Sequence, residues 1–111
     1  PEKLDGTSWQ IVSINNANIP TEREAMLRFD DGRMSGTVGC NRLGGAYQFA
    51  EGKLGIGPVM STKMACPDPV GQQEYAFISV LGNLGTTEFP GDGTMVLTAK
   101  DGGRIVLRQS I

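Results

Sequence analysis

The feature that most restricts this chain is a recurring grammar of short alternating runs, each closed by an acidic residue and a glycine. Met26–Asp30 sets Leu27 and Phe29 on one side and Arg28 and Asp30 on the other. Asp31-Gly32 follows, and residues 33–39 resume with Met34 and Val38 on a two-residue period. An Asp-Gly pair between alternating runs predicts a hairpin, because the tight turn needs positive φ at both central positions. The same pattern recurs at Glu51-Gly52, between residues 46–50 and 53–60, and at Asp101-Gly102-Gly103, between residues 94–100 and 104–109. Three hairpins in 111 residues predict an antiparallel meander. The 16 glycines fall singly or in pairs, as expected of a sheet that bends sharply rather than of a repeat or a linker.

The remaining elements fit around that meander. Residues 7–14 form the first strand, with Trp9, Ile11 and Ser13 sharing a face. Residues 15–21 are a polar loop that ends at Pro20 and carries a crossover. One segment reads as helical: Pro67, Asp68 and Pro69 supply a start signal, and residues 72–84 place Tyr75, Ile78 and Leu81 at spacing three, with Phe77 and Leu84 beside them. Gly85 stands where a C-terminal glycine cap is expected. Pro90 makes residues 88–91 an edge or a turn. The fold class predicted is mainly β with one α-helix: a strongly curved, antiparallel, barrel-like sheet of seven or eight strands capped by the helix. Its inward face is expected to hold Trp9, Leu27, Phe29, Tyr47, Leu54, Ile56, Leu97 and Leu107. A hydrophobic content of 39% and a charged content of 20% support a packed core, and 111 residues suit one domain over 1–111.

Several kinds of function lose their footing here. A net charge of −2 and a pI near 5.0 argue against nucleic acid as a partner. No run of 18 apolar residues provides a transmembrane segment, and no signal-peptide pattern is present. Because the chain opens on Pro1, it is expected to be a trimmed or excised piece, so the absence of an export signal or lipid anchor from it is uninformative. The absence of histidine removes Ser-His-Asp and Cys-His catalysis and histidine-ligated metal. Asp31, Glu51, Asp92 and Asp101 all lie at expected turns, which accounts for them without a carboxylate pair. The segment 39–44 has P-loop spacing, but Gly45 and Ala46 stand where Lys and Ser/Thr are required. Gly55-Ile56-Gly57 runs into Pro58, which spoils a dinucleotide turn. No catalytic, cofactor or metal residue is assigned. Met60 and Met64 are expected as core filler around Cys66.

The two cysteines, Cys40 and Cys66, are too far apart in sequence for a Cys-x-x-Cys site. From the residues alone they are a structural disulfide, two buried thiols or one reactive thiol, and an oxidising compartment favours the first.

Leu4-Asp5-Gly6-Thr7-Ser8-Trp9, Leu27-Arg28-Phe29-Asp30-Asp31-Gly32-Arg33, Gly39-Cys40-Asn41-Arg42, Gly45-Ala46-Tyr47, Leu54-Gly55-Ile56-Gly57 and Ser61-Thr62-Lys63-Met64-Ala65-Cys66 occur in this order, and Glu74 stands at the opening of the helix. Together they resemble the META domain family of HslJ-like heat-shock proteins over nearly the whole chain. The most specific blocks are Gly39 to Arg42 and Thr62 to Cys66. The resemblance implies a small curved β-barrel-like sheet with one helix, and a setting in the bacterial cell envelope, periplasmic, outer-membrane-associated or secreted, often as a lipoprotein. It implies a link to heat shock but no defined reaction. The expected function is therefore a non-enzymatic envelope domain that binds a protein or envelope component, or stabilises the envelope under stress. The alternatives are a small-molecule or lipid carrier using a cavity inside the curled sheet, and a thiol-dependent activity at Cys40 or Cys66. Because both cysteines lie in the most specific blocks, the resemblance also implies that they meet in space. Asn41 and Arg42 are then expected to serve the turn around a bridge.

Overall fold

A computed structural model describes residues 3–110. Eight strands form one antiparallel path: β1 (Thr7–Ile14), β3 (Met26–Asp30), β4 (Arg33–Thr37), β5 (Arg42–Ala50), β6 (Lys53–Ile56), β8 (Leu84–Gly91), β9 (Thr94–Ala99) and β10 (Arg104–Gln109). Two-residue strands attach to it, β2 (Ala17–Asn18) to β1 and β7 (Met60–Ser61) to β5. The order across the sheet is β6-β5-β4-β3-β1-β10-β9-β8. Curvature brings the outer members β6 and β8 together, and the Leu54 amide of β6 donates to Thr87 Oγ1 of β8 at 3.0 Å. The Phe49 and Phe89 rings meet edge-on across this seam at 5.9 Å, and Trp9 lies 6.4 Å from Phe89. The sheet is a nearly closed barrel.

The turn chemistry does what the acidic-Gly pairs require at two of the three expected turns; at Asp101-Gly102-Gly103 only Gly102 takes positive φ, although β9 and β10 still pair there. Asp31 and Gly32 take φ of 52° and 75°, and Glu51 and Gly52 take 54° and 75°. Asp92-Gly93 adds a further hairpin between β8 and β9, with φ of 59° and 70°. Asn15 and Asn16 also adopt positive φ, so the expected polar loop contains a small hairpin that returns β2 onto β1. Asparagine tolerates that region because its short polar side chain bonds locally. Asn15 Oδ1 additionally reaches a distant strand, accepting from the Arg104 amide of β10 at 2.9 Å.

Trp9, Ile11, Leu27, Phe29, Met34, Leu54, Met95, Leu97, Ile105 and Leu107 fill the barrel, each no more than 1% exposed. Of the expected inward face, Tyr47 and Ile56 are half-buried and pack against this core, Tyr47 edge-on to Phe29 at 5.0 Å. One expectation on β1 is corrected. A bulge between Ile11 and Ser13 shifts the alternation, so Ile14 comes opposite the fully buried Ile105 while Ser13 pairs with half-buried Val106. An extra residue in a strand reverses the facing of everything after it.

The helix α1 runs Val70–Leu81, beginning and ending earlier than the periodicity predicts. Pro69 is the residue preceding it, and Gly82 ends it with φ −80°, its amide donating to Ile78 O at 2.9 Å. Gly85 is not the cap; it lies in β8. The buried face is Glu74, Phe77, Val80 and Leu81, packed on β9, β1 and β10, whereas Tyr75 is 78% exposed. The spacing-three row of Tyr75, Ile78 and Leu81 drifts around a helix of 3.6 residues per turn, and the 74/77/81 row covers the barrel instead.

Candidate functional site: a disulfide-latched corner and the groove beside it

Between β4 and β5 the chain makes the 38–41 corner, and between β7 and α1 it runs through residues 62–69 without regular structure. Cys40 and Cys66 join these two segments as a disulfide, with Cα atoms 6.1 Å apart, inside the span such a bond requires. Among the described residues neither cysteine is free.

Asn41 is the second tie, and only 5% of it is exposed. Its backbone amide donates to Glu74 Oε1 at 3.0 Å and its Nδ2 donates to Glu74 Oε2 at 2.7 Å. Its Oδ1 accepts from Thr62 Oγ1 and from the Met64 amide, both at 2.8 Å. Nδ2 also reaches Met64 O and Cys66 Sγ, each at 3.3 Å. One amide side chain thus satisfies a buried carboxylate on the helix and two groups of the 62–66 segment. A buried carboxylate left without donors is strongly unfavourable, so the match of Asn41 to Glu74 fixes where the helix sits. Thr62 extends the network through Arg42: Thr62 Oγ1 accepts from the Arg42 amide at 3.0 Å, and the Thr62 amide donates to Arg42 O at 3.1 Å. Arg23 donates to Gln73 Oε1, tying the segment before β3 to the same helix.

The motif residues therefore divide. Cys40, Asn41, Thr62, Met64 and Cys66 are drawn together, and Arg42 joins them through its backbone. The Lys63 side chain stays at the surface, its ammonium 3.3 Å from Ser61 Oγ. Met60 and Met64 are 74% and 56% exposed, so they are not core filler around Cys66: a disulfide needs no apolar packing, and Met64 contributes its backbone. In the sequence Glu74 is marked only as a helix-opening residue; its pairing with Asn41 emerges from the structure. A carboxylate on the apolar face of an amphipathic helix, two turns from its end, was the available signal.

Beside this corner, the outer face of β3, β4 and β5 carries a groove of about 560 Å³. Arg28 and Arg42 flank it, Glu24 and Cys40 stand at one end, and Ser35 and Thr37 provide hydroxyls between them. Arg28 donates to Ser8 Oγ at 2.8 Å and lies 3.8 Å from Asp30. No group of three or more acidic or cysteine side chains able to hold a metal ion occurs among the described residues, and no helix there is long and apolar enough to cross a membrane.

Fold and corner together define a class: small, nearly closed antiparallel barrels whose one helix is stapled to a sheet corner by a disulfide and a buried amide–carboxylate pair. The chain belongs to the META domain family, whose model matches residues 2–110. Its structure is similar to the NMR structure of a protein from Burkholderia xenovorans, with a TM-score of 0.75 and 27% identity over 96% of this chain and 83% of that one. A second NMR structure, 17% identical, shares the fold with a TM-score of 0.74 over 93% of this chain and 89% of the other. No curated protein matches the sequence.

Proposed function

We propose that this chain acts as a single, non-enzymatic domain of the bacterial cell envelope, binding a protein or envelope component under stress. The observation that carries this reading is the spending of both specific motif blocks on architecture: Cys40, Asn41, Thr62 and Cys66 bond to one another and to Glu74 rather than converging on a substrate. A covalent latch of this kind persists in an oxidising compartment, which supports a place outside the cytoplasm, periplasmic, outer-membrane-associated or secreted. The heat-shock association rests on the family alone. A carrier with an interior cavity gains no support, because Trp9, Phe29 and their neighbours occupy the barrel. A thiol activity would first require reduction of the bridge.

The test is genetic. A strain lacking the gene is exposed to heat and to detergent, then complemented with the exported protein and with a form retained in the cytoplasm. Sensitivity relieved by the exported form alone supports the reading. Equal rescue by the retained form, or no sensitivity, overturns it.

A further inference from the structure

The groove on β3–β5 has a composition that the latch does not explain. We propose that it is a binding site for a small zwitterion, an oxyanion and a primary ammonium on one short ligand. This goes beyond the proposed envelope role and does not depend on it.

The cross-strand register places the groups. Met26, Thr37 and Arg42 form one row across β3, β4 and β5, and Arg28, Ser35 and Gly44 form the next row on the same outer face. Glu24 precedes β3 and lies at the groove's other end from Arg28. Neighbouring strands are about 4.8 Å apart, so Arg42 of β5 and its cross-strand partner Thr37 of β4 stand side by side on this face. Gly44 opens the row beyond Ser35, since it brings no side chain.

The donors and acceptors there are available. Among the described residues the Arg42 guanidinium, the Ser35 hydroxyl and the Glu24 carboxylate have no hydrogen-bond or ion-pair partner. Thr37 Oγ1 accepts from the Gly39 amide at 3.0 Å, which leaves its own proton free to donate outward. Arginine is the side chain whose planar fork matches a carboxylate or phosphate in two parallel bonds. Arg28 is already engaged by Ser8 Oγ and Asp30, so Arg42 with the hydroxyls of Thr37 and Ser35 recognises the oxyanion, and Glu24 recognises a cationic group on the same ligand. The floor is preorganised, because Cys40 is held by its disulfide and Arg42's backbone by Thr62. The volume lies in the range of small-ligand sites.

The experiment is an amide NMR titration of the intact oxidised protein with O-phosphoethanolamine, β-alanine and inorganic phosphate. Saturable shifts confined to residues 24–28, 35–44 and their neighbours are expected for at least one zwitterion below about 10 mM. Arg42→Gln, at an exposed side chain whose backbone bonds remain, should weaken binding at least tenfold. Glu24→Gln should weaken the zwitterion while leaving phosphate equal or tighter. Sedimentation with phosphatidylcholine vesicles, with and without phosphatidylethanolamine, separates the sources: capture only with phosphatidylethanolamine assigns a lipid headgroup, and no capture alongside a positive titration assigns a free molecule. Absence of saturable shifts, or binding indifferent to Arg42→Gln, overturns the site. A Glu24→Gln effect equal on zwitterion and phosphate overturns its zwitterionic character.

Discussion

At the scale of single residues, the corner rests on an amide facing a carboxylate. Asn41 has both donor and acceptor ends in use: donor toward Glu74, acceptor toward Thr62 and Met64. Aspartate there would set a second carboxylate against Glu74, and serine would not span the distance. Asn41→Ala leaves the buried Glu74 Oε2 and the part-buried Met64 amide without their partner. Net hydrogen-bond values to charged groups put the loss at about 2–3 kcal/mol. Urea denaturation should show that shift with an unchanged m-value; a change below ~0.5 kcal/mol would mean water replaces the amide at no cost. The motif's asparagine was visible in the sequence, but its partner lies 33 positions away on another element. Only the closed corner shows which carboxylate it serves.

At the scale of elements, the strands follow from alternation and turn residues, while their curvature follows from where side chains are missing. Gly36 of β4 lies opposite Leu27 in β3. A Cβ there would stand 2.1 Å from Met26 O and 2.7 Å from Leu27 Cδ2, and a backbone oxygen cannot step aside cheaply. Gly36→Ala is therefore expected to cost about 1–3 kcal/mol through overpacking. Gly44→Ala is the control, since its Cβ would meet only Met34 O at an ordinary 3.5 Å. It should stay within about 0.5 kcal/mol of the parent. Equal effects of the two in chemical denaturation would show that strand entropy, not close approach, governs both. The helix teaches a related lesson. Its existence and its Pro-rich start were legible, but its end was displaced because β8 claims Leu84 for pairing with Ala99 of β9, with Gly85 at the bulge that follows. Strand pairing outcompeted the last helical turn.

At the scale of the whole molecule, the barrel is closed by pairings distant in sequence. β1 pairs with β10, Trp9 opposite Gln109, and the β6–β8 seam is spanned by the Leu54–Thr87 hydrogen bond and the Phe49–Phe89 contact. The disulfide adds a link across 26 residues, from the β4–β5 corner to the helix entrance. In the chain-entropy treatment, removing it frees the unfolded chain by ~3.5 kcal/mol. Reduction, or the Cys40→Ala/Cys66→Ala double variant, should lower stability by about that amount and leave the barrel folded. The measurement is thermal and urea unfolding of oxidised, reduced and double-variant protein. Coincident curves for all three would defeat the stabilising role while sparing the geometry.

What the sequence determined by itself is local: two-residue alternation set the strands, acidic-Gly pairs set the hairpins, and a proline-led amphipathic run set one helix. These depend on φ preferences and on side-chain facing, which neighbouring residues dictate. The family, too, was legible, because its blocks are contiguous in the chain. The tertiary structure alone decided the bulge that turns Ile14 inward, the exposure of Tyr75, Met60 and Met64, the pairing of Asn41 with Glu74, and the groove between Arg28 and Arg42. Each of these is a relation between elements whose register and curvature are set by long-range packing. A one-dimensional pattern holds the parts of such a relation but not the distance between them.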